Sequence, residues 1–347
     1  MIKLARAAVL ENLGAPLNLR DIEIPSLLPG QVLVKVFFSG VCRSQLMEVR
    51  GRRGADPWLP HLLGHEGSGK VLAVGEGCTK IRPGDEVILG WIKGDGIDAP
   101  GAKYLSNGQV INSGRVTTFS NYTVASESRV VKKPKGMPLD VAVLFGCALP
   151  TGAGMVLNEL RPQIGSSVAV LGLGGIGLGA LMAICSLSCK RVIAIDVSDE
   201  KLELAKKIGA THLINSSRND VLLDIMQIAE SGLDFCIESA GTVASIELGF
   251  SLVRKDGGRL LFASHPPEGE TIRLAPHELI SGKQISGSWG GGTQPDKDIP
   301  RMFQILRDGE APLKNLITRR YALEQINEAL DDLEAGRVFR PLIVMEH

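Results

Sequence analysis

Two patterns of hydrophobic and polar positions divide the chain near residue 150. Up to about residue 148, short apolar runs such as 31–38, 67–75 and 85–91 follow one another, separated by Gly and Pro. Runs of this length between turn residues are typical of strands in a small β-barrel. From about residue 150, apolar strands alternate with helical segments such as 199–210. That alternation predicts βαβ units and a parallel sheet.

The C-terminal fifty residues follow a third pattern. Helical periodicity extends over 298–309 and 322–336, and a short apolar strand follows at 340–347. The Gly-rich segment 90–118 shows only weak periodicity, and we interpret it as an irregular loop or lobe.

Composition restricts the classes of function. A chain of 347 residues is long enough for two domains. Lys and Arg together number 38, as do Asp and Glu, so the chain lacks the basic excess of a general nucleic-acid binder. A hydrophobic content of 44% with 22% charged residues excludes a disordered chain.

The six cysteines are too sparse for a disulfide scaffold and include no CxxC pair. We therefore expect a soluble, cytoplasmic protein in a reducing compartment. The uncharged stretch 162–189 is long enough for a membrane helix, but its glycines favour a soluble fold without a membrane partner.

A glycine fingerprint lies at the start of the second region. The segment 172–177 reads GxGxxG, follows a β-branched strand and precedes a helix-compatible stretch. In this context Gly172 permits a tight turn, Gly174 lets the backbone approach a pyrophosphate, and Gly177 lets the helix pack on the strand. The alternative is a turn whose glycines serve packing alone.

An acidic residue stands at the position that the fingerprint requires. Asp196 ends the second strand, 19 residues after Gly177. Its carboxylate can accept hydrogen bonds from the adenosine ribose and repels a 2′-phosphate, so we expect NAD rather than NADP.

Two cysteines and one histidine form a candidate zinc set. Cys42, His65 and Cys147 would give zinc three ligands and leave the fourth position open. Their spacing matches no local zinc motif, and a lone buried cysteine is usually a small hydrophobe. From spacing alone, these residues could form a zinc site, or the cysteines could be packing residues.

Taken together, several motifs resemble the zinc-dependent alcohol dehydrogenases of the medium-chain dehydrogenase/reductase family. They cover nearly the whole chain: GVCRS (40–44), LLGHEGSGKVLAVGEG (62–77), RPGDEV (82–87), FGCALPTGAG (145–154), GLGGIG (172–177) and IDVSDEKLELAKKIGATHLIN (195–215).

The resemblance implies an α/β fold with a GroES-like β-barrel catalytic domain and a Rossmann domain with a doubly wound parallel sheet. We expect the catalytic domain over 1–149 and 290–347, and the NAD-binding domain over 150–289. The resemblance also implies zinc at Cys42, His65 and Cys147. The implied reaction is hydride transfer between an alcohol, or its aldehyde or ketone, and NAD.

Roles for further residues follow from the same resemblance. Ser44 would relay the alcohol proton and Glu66 would lie behind the zinc, unless the first is a structural hydroxyl and the second a simple ion-pair partner.

On the coenzyme side, the resemblance assigns phosphate contacts to Arg43 and Arg340, nicotinamide contacts to Thr151 and Ile176, and a ribose contact to Lys201. The three cations are otherwise ordinary surface charges. Gly175 belongs to the same loop as Gly172, Gly174 and Gly177.

Trp58 and Trp91 would line the substrate pocket, unless they are core aromatics. Asn112 and Ser113 would add polarity to it, which hints weakly at a polyol.

The chain departs from the family in three ways. Residues 79–146 contain no Cys, so we expect one zinc per chain and no structural zinc. Met47 occupies the place of a relay histidine and cannot carry a proton. Gln45 stands where the family often has an Asp that orients the zinc-bound His, and an amide can accept the same hydrogen bond without adding charge.

Two other functions compete with the first. A zinc-free enone or quinone reductase of the same superfamily would lack the ligand cysteines. A nucleotide-binding protein without turnover would have no use for Arg43 and Ser44 beside the ligand set. Family members pair through the edge of the Rossmann sheet, so we expect a homodimer or homotetramer.

Overall fold

The computed structural model describes residues 3–307 and 313–347. Within these, the chain forms two compact units: one of 3–147, 294–303 and 313–347, the other of 148–293 and 304–307. The predicted domain limits, 1–149, 150–289 and 290–347, stay predictions.

Eighteen strands occur in the described residues. They are β1 Leu4–Leu10, β2 Asn18–Glu23, β3 Gln31–Gly40, β4 His61–Leu62, β5 Glu66–Val74, β6 Glu86–Gly90, β7 Lys103–Ser106, β8 Gln109–Asn112, β9 Tyr122–Ser126, β10 Val130–Lys132, β11 Ser167–Leu171, β12 Arg191–Asp196, β13 His212–Asn215, β14 Phe235–Glu238, β15 Arg259–Phe262, β16 Gln284–Gly287, β17 Arg319–Ala322 and β18 Pro341–Val344.

Ten α-helices accompany them in the same residues. They are α1 Arg43–Val49, α2 Leu139–Ala142, α3 Ala148–Gly154, α4 Gly175–Cys185, α5 Asp199–Ile208, α6 Val221–Ile228, α7 Val243–Leu252, α8 Pro276–Ile280, α9 Pro295–Arg307 and α10 Ile326–Glu334. The last two residues of the predicted helix 298–309 lie outside the described residues.

The first unit combines a closed barrel with a mixed sheet. The barrel has the strand order β1-β2-β7-β8-β4, and the sheet runs β10-β6-β5-β3-β18-β17, with β9 also paired to β3. Strand β18 lies antiparallel to β3, with Ile343 opposite Ser39. The C-terminal strand therefore completes the N-terminal sheet, and Arg340, one residue before it, comes close to the segment that follows β3.

The interpretation of 90–118 as an irregular lobe is wrong for its second half. Strands β7 and β8 form a hairpin that is part of the barrel wall, with Ser106 opposite Gln109. Asn107 and Gly108 both have positive φ, 50° and 79°, as the Asn-Gly type I′ turn requires. Strand β7, which precedes the turn, alternates exposed and buried residues, and its Tyr104 is fully buried. The Asn-Gly pair was the signal for this hairpin in the sequence.

The second unit confirms the predicted Rossmann fold. Its sheet has the order β13-β12-β11-β14-β15-β16, and all neighbouring strands are parallel. The strands β11, β12 and β14 are almost entirely buried, because helices cover both faces of such a sheet. The α5 helix ends at Gly209, which adopts the left-handed conformation of a C-cap.

Among the described residues, no single helix is long and apolar enough to cross a membrane. A bent pair, Leu139–Gly146 with Ala148–Leu160, meets that length and composition only when the two are combined.

Candidate functional site

Three elements of the first unit bring Cys42, His65 and Cys147 together. Cys42 precedes α1, His65 lies directly before β5, and Cys147 follows a short 3₁₀ turn, Val143–Gly146. The two Sγ atoms are 3.9 Å apart, and His65 Nε2 is 3.3 Å from the Cys147 Sγ. All three ligand atoms lie within 4.8 Å of one another. The two thiols and one imidazole are the donor set that a tetrahedral zinc with one open position requires, so the residues fit the metal.

Ionisation in this cluster also suits a cation. The hydrogen bond with Cys147 lowers the pKa of Cys42 well below its usual range, and contact with His65 acts in the same direction. The same hydrogen bond and burial raise the pKa of Cys147. Burial opposes ionisation of His65, but the bond and charge of Cys42 outweigh it and raise the His65 pKa. Cys42 is therefore the thiol that ionises more readily, and a metal ion held by both thiols displaces their protons.

A buried ion pair supports the cluster. Glu66 is fully buried, and Arg340 donates from Nη2 to Glu66 Oε2 at 3.0 Å. Burial raises the pKa of Glu66 to about 7, although the charge of Arg340 opposes the change. Glu66 Oε1 is buried without a hydrogen-bond partner, so an acceptor beside the cluster stays open to a positive charge.

Arg340 lies in a place that sequence reasoning missed. Its pKa is raised because the charges of Glu66, Cys42 and Cys147 outweigh its burial. A buried guanidinium paired with Glu66 acts on the thiolates directly, and the predicted phosphate contact stays a prediction. The pairing had no signal in the sequence, since it depends on β18 lying beside β3.

Gln45 does not have the role that its sequence position predicts. Its Oε1 accepts a hydrogen bond from the backbone N–H of Gly64, not from the His65 ring, and its Nε2 donates to Glu48 Oε2 at 3.2 Å. Gln45 therefore fixes the backbone immediately before His65. The ring is oriented indirectly, through the chain that carries it.

The first turn of α1 carries the other predicted residues of this region. Ser44 is half-buried two positions after Cys42, and Arg43 is exposed. Their predicted roles in proton relay and phosphate binding stay predictions.

A cavity of about 750 Å³ opens beside His65. Trp58, 68% exposed, lines it, whereas Trp91 is not among its lining residues. Asn112 and Ser113 also line it, but they donate to the carbonyls of Trp58 and Ala102. Both polar groups are thus engaged by the backbone, which weakens the hint of a polyol.

The same wall holds a second cluster that the sequence did not indicate. Glu48, Asp56 and His61 each offer a ligand atom within 4.8 Å of the other two. His61 is in the barrel strand β4, and its carboxylate neighbours come from α1 and the following loop. Only the fold brings these three residues together.

The glycine loop of the second unit fits a dinucleotide. Gly172 directly follows β11 with φ +89°, and a Cβ on Gly177 would collide with the Gly172 carbonyl oxygen. A Cβ on Gly174 would meet nothing within 4 Å, so space for a phosphate lies at the N-terminus of α4. Helix N-termini offer free N–H groups to phosphate, which the predicted loop requires.

Asp196 lies beside this loop. Its Oδ2 accepts from the Leu173 N–H at 2.6 Å, its Oδ1 accepts from the Ser198 N–H at 3.0 Å, and Lys201 Nζ is 3.6 Å from Oδ2. The carboxylate holds the loop in shape and keeps lone pairs for a ribose. Ile176 is half-buried in the first turn of α4, next to Gly175, and Thr151 is buried in α3.

A buried carboxylate organises the Cys-free lobe. Glu127 accepts hydrogen bonds from the N–H groups of Thr79, Lys80 and Ile97, at 2.8, 2.8 and 2.9 Å. One side chain thereby joins two loop segments.

Comparisons with known proteins agree with this geometry. Residues 28–135 match the alcohol dehydrogenase GroES-like domain family, and residues 175–308 match the zinc-binding dehydrogenase family. The chain is 32% identical to an S-(hydroxymethyl)glutathione dehydrogenase of Escherichia coli, covering 98% of this chain and 99% of that protein. It is 28% identical to an alcohol dehydrogenase class-3 of Cereibacter sphaeroides, over 98% and 99% of the two chains.

Two solved structures have the same fold. An alcohol dehydrogenase zinc-binding domain protein from Burkholderia ambifaria superposes with a TM-score of 0.91 at 30% identity, over 99% of this chain and 100% of that one. A benzyl alcohol dehydrogenase from Acinetobacter calcoaceticus superposes with a TM-score of 0.89 at 30% identity, over 99% of this chain and 100% of that one.

Proposed function

Because the chain belongs to the zinc-dependent alcohol dehydrogenases of the medium-chain family, we propose that it oxidises an alcohol to its aldehyde or ketone with NAD, or catalyses the reverse reaction, at one catalytic zinc. The observation that carries this proposal is the convergence of Cys42, His65 and Cys147. A zinc-free enone or quinone reductase has no use for two thiols and an imidazole that converge in this way, and neither has a nucleotide-binding protein without turnover.

The bound groups supply the redox chemistry: zinc polarises the alcohol oxygen, and NAD exchanges the hydride. Cys42, His65 and Cys147 hold the metal and leave one position open. The Glu66–Arg340 ion pair adjusts the local charge beside these three ligands. Ser44 accepts the alcohol proton and passes it toward water, since Met47 offers no base.

The second unit binds the coenzyme in this proposal. The N–H groups at the start of α4 hold the pyrophosphate, and the carboxylate of Asp196 with Lys201 holds the adenosine ribose. In the first unit, Arg43 is the residue proposed to contact a coenzyme phosphate. Thr151 and Ile176 are the residues proposed to contact the nicotinamide. The negative charge of Asp196 disfavours a 2′-phosphate, so NAD is the preferred coenzyme.

One zinc per chain is part of the proposal. Glu127 supports it, because this carboxylate already ties the lobe that a second metal would stabilise.

A homodimer or homotetramer formed through β16 is also part of the proposal. This strand is the exposed end of the six-stranded sheet in the described residues. A cytoplasmic location stays a prediction.

The substrate is a small alcohol or aldehyde. The deciding experiment measures metal content and NAD reduction together, on a panel that contains benzyl alcohol, S-(hydroxymethyl)glutathione, a linear alcohol and a polyol. We expect one zinc per chain and turnover of at least one alcohol, with NAD preferred over NADP. A metal-free protein with full activity, or a zinc-loaded protein inactive on every alcohol and aldehyde tested, contradicts the proposal.

A further inference from the structure

The second histidine cluster lies on rigid elements of the barrel unit. His61 is in β4, which pairs with β1 through Leu10 and with β8 through Asn112. Glu48 is in α1, and Asp56 is in the loop between them. All three residues line the 750 Å³ cavity. His61 is 7% exposed, and the side chains of Asp56 and Glu48 are 13% and 24% exposed. Carboxylates this well covered are not ordinary solvated surface charges.

Each of the three side chains is held from outside the cluster through one of its two polar atoms. Glu48 Oε2 accepts from Gln45 Nε2 at 3.2 Å and lies 3.5 Å from Arg53 Nη1. Asp56 Oδ1 accepts from the Trp58 N–H at 2.9 Å, and His61 Nδ1 lies 2.9 Å from the Leu62 carbonyl oxygen. The second atoms, Glu48 Oε1, Asp56 Oδ2 and His61 Nε2, converge within 4.8 Å of one another.

The converging atoms are all acceptors when the imidazole is neutral. The Leu62 carbonyl can only accept, so the neutral His61 carries its proton on Nδ1 and presents a lone pair at Nε2. That lone pair faces Asp56 Oδ2 at 2.8 Å and Glu48 Oε1 at 3.9 Å. A cation between these acceptors, either a proton or a metal ion, relieves their mutual repulsion.

We propose that Glu48, Asp56 and His61 bind a divalent metal ion. A proton on Nε2 satisfies Asp56 but not Glu48, whose Oε1 is beyond hydrogen-bond distance at 3.9 Å. A metal ion bonds all three atoms at once. The cluster also has the outer contacts typical of metal sites, where the ligating imidazole donates its other N–H to a carbonyl and the carboxylates are hydrogen-bonded.

The donor set indicates the class of metal. Two carboxylates and one imidazole suit Mn²⁺ or Zn²⁺ and lack the thiolates that bind zinc most strongly. Arg53 offsets one of the two carboxylate charges, so binding is weaker than at Cys42, His65 and Cys147. Because the three residues line the cavity, water can complete the coordination of an ion that they hold. This site shares no ligand with the catalytic centre and goes beyond the proposed function.

The test is a Mn²⁺ titration of the zinc-loaded protein, followed by electron paramagnetic resonance. We expect one saturable Mn²⁺ per chain in the wild type. Asp56→Asn and Glu48→Gln, which keep the side-chain size, should each weaken Mn²⁺ binding by at least about tenfold. Asp21→Asn is the matched control, because Asp21 is a barrel carboxylate paired with Arg6 and lies outside the cavity lining. Equal Mn²⁺ affinity in all four proteins overturns the proposal.

A second measurement uses the wild type alone, in case a variant folds poorly. Bound Mn²⁺ should broaden the NMR signals of the His61 ring at substoichiometric concentration, before those of the exposed His277. Unbroadened His61 signals at saturation, or no saturable Mn²⁺ at all, overturn the site. Zinc content and NAD turnover are measured on the same samples, so failure of this site is distinguishable from failure of the proposed function.

Discussion

Two clusters contain histidines that lie four residues apart in sequence, and the donor atoms that join each histidine differ in chemistry. His65 is joined by two thiols, and its cluster is backed by the buried Glu66–Arg340 pair. His61 is joined by two carboxylates, and its cluster is backed by Gln45, the Trp58 N–H and the Leu62 carbonyl. The first set of donors is soft, and the second is hard.

The net charge of each cluster determines how firmly it should hold a metal ion. With both thiols ionised, Cys42, Cys147, Glu66 and Arg340 leave two negative charges, which one divalent ion cancels. Glu48, Asp56 and Arg53 leave only one negative charge at the second cluster. The first centre should therefore keep its metal through purification, while the second should exchange its metal with solution.

Removal of a thiol gives the largest expected effect. Cys42→Ser replaces a thiolate by a hydroxyl that does not ionise near neutral pH, so the zinc content should fall and kcat/KM should drop by about 10³-fold or more. Mn²⁺ binding at the carboxylate cluster should be unchanged. Cys78→Ser is the control, because this half-buried thiol lies outside the ligand set and donates to the Gln31 carbonyl. Full zinc content in Cys42→Ser would show that the thiol set is not the zinc site.

Loss of the proton relay ranks second. General acid–base positioning contributes about 10²–10⁴-fold, so Ser44→Ala should lower kcat by roughly 10²-fold while zinc content and NAD affinity stay constant. Glu48→Gln, on the same helix, should leave kcat close to wild type, because the carboxylate cluster is outside the proposed relay. An isotope effect on hydride transfer must accompany the comparison. The relay role of Ser44 is wrong if Ser44→Ala keeps the wild-type kcat while hydride transfer is rate-limiting.

The sequence was sufficient for features that depend on short segments. The strands β3, β5 and β6, the Rossmann strands and the glycine loop all follow from local pattern, because apolar runs and turn residues act over a few positions. The family motifs located Cys42, His65 and Cys147, although their spacing did not.

Features that depend on tertiary pairing escaped sequence reasoning. The Glu66–Arg340 bond joins residues 274 positions apart and requires β18 to lie beside β3. The Glu48–Asp56–His61 cluster requires β4 to close the barrel. Gln45 was assigned to the wrong hydrogen-bond donor, since its reach to the Gly64 N–H depends on how α1 packs against the segment before β5.

Gln45 is the one described residue that hydrogen-bonds next to both clusters, so its substitution tests whether they are coupled. Gln45→Leu leaves the Gly64 N–H unpaired, at a cost of about 1–3 kcal/mol in unfolding free energy, and removes the contact with Glu48. Affinity for zinc and for Mn²⁺ should each fall by about tenfold.

Gln45→Glu separates the two effects. Its carboxylate can still accept from Gly64 but repels Glu48, so Mn²⁺ affinity should fall more than zinc affinity. Competition with a chelator measures both affinities. Equal losses in Gln45→Glu would contradict the assignment of one amide atom to each cluster.

The smallest expected effect comes from Asp196, in the unit that contains neither cluster. Asp196→Asn removes the charge that repels a 2′-phosphate but retains one oxygen that can accept from the Leu173 or Ser198 N–H. The ratio of kcat/KM for NAD to that for NADP should fall by about fivefold, which corresponds to about 1 kcal/mol. Zinc content and Mn²⁺ affinity should not change, because no ligand of either cluster lies in the second unit. Thr242→Ala, at the N-cap of α7 in the same unit, controls for a general loss of stability.

A wild type that prefers NADP, or an unchanged coenzyme ratio in Asp196→Asn, would show that another residue recognises the ribose. In that outcome the hydrogen bonds of Asp196 to Leu173 and Ser198 would leave it a purely structural role in shaping the glycine loop.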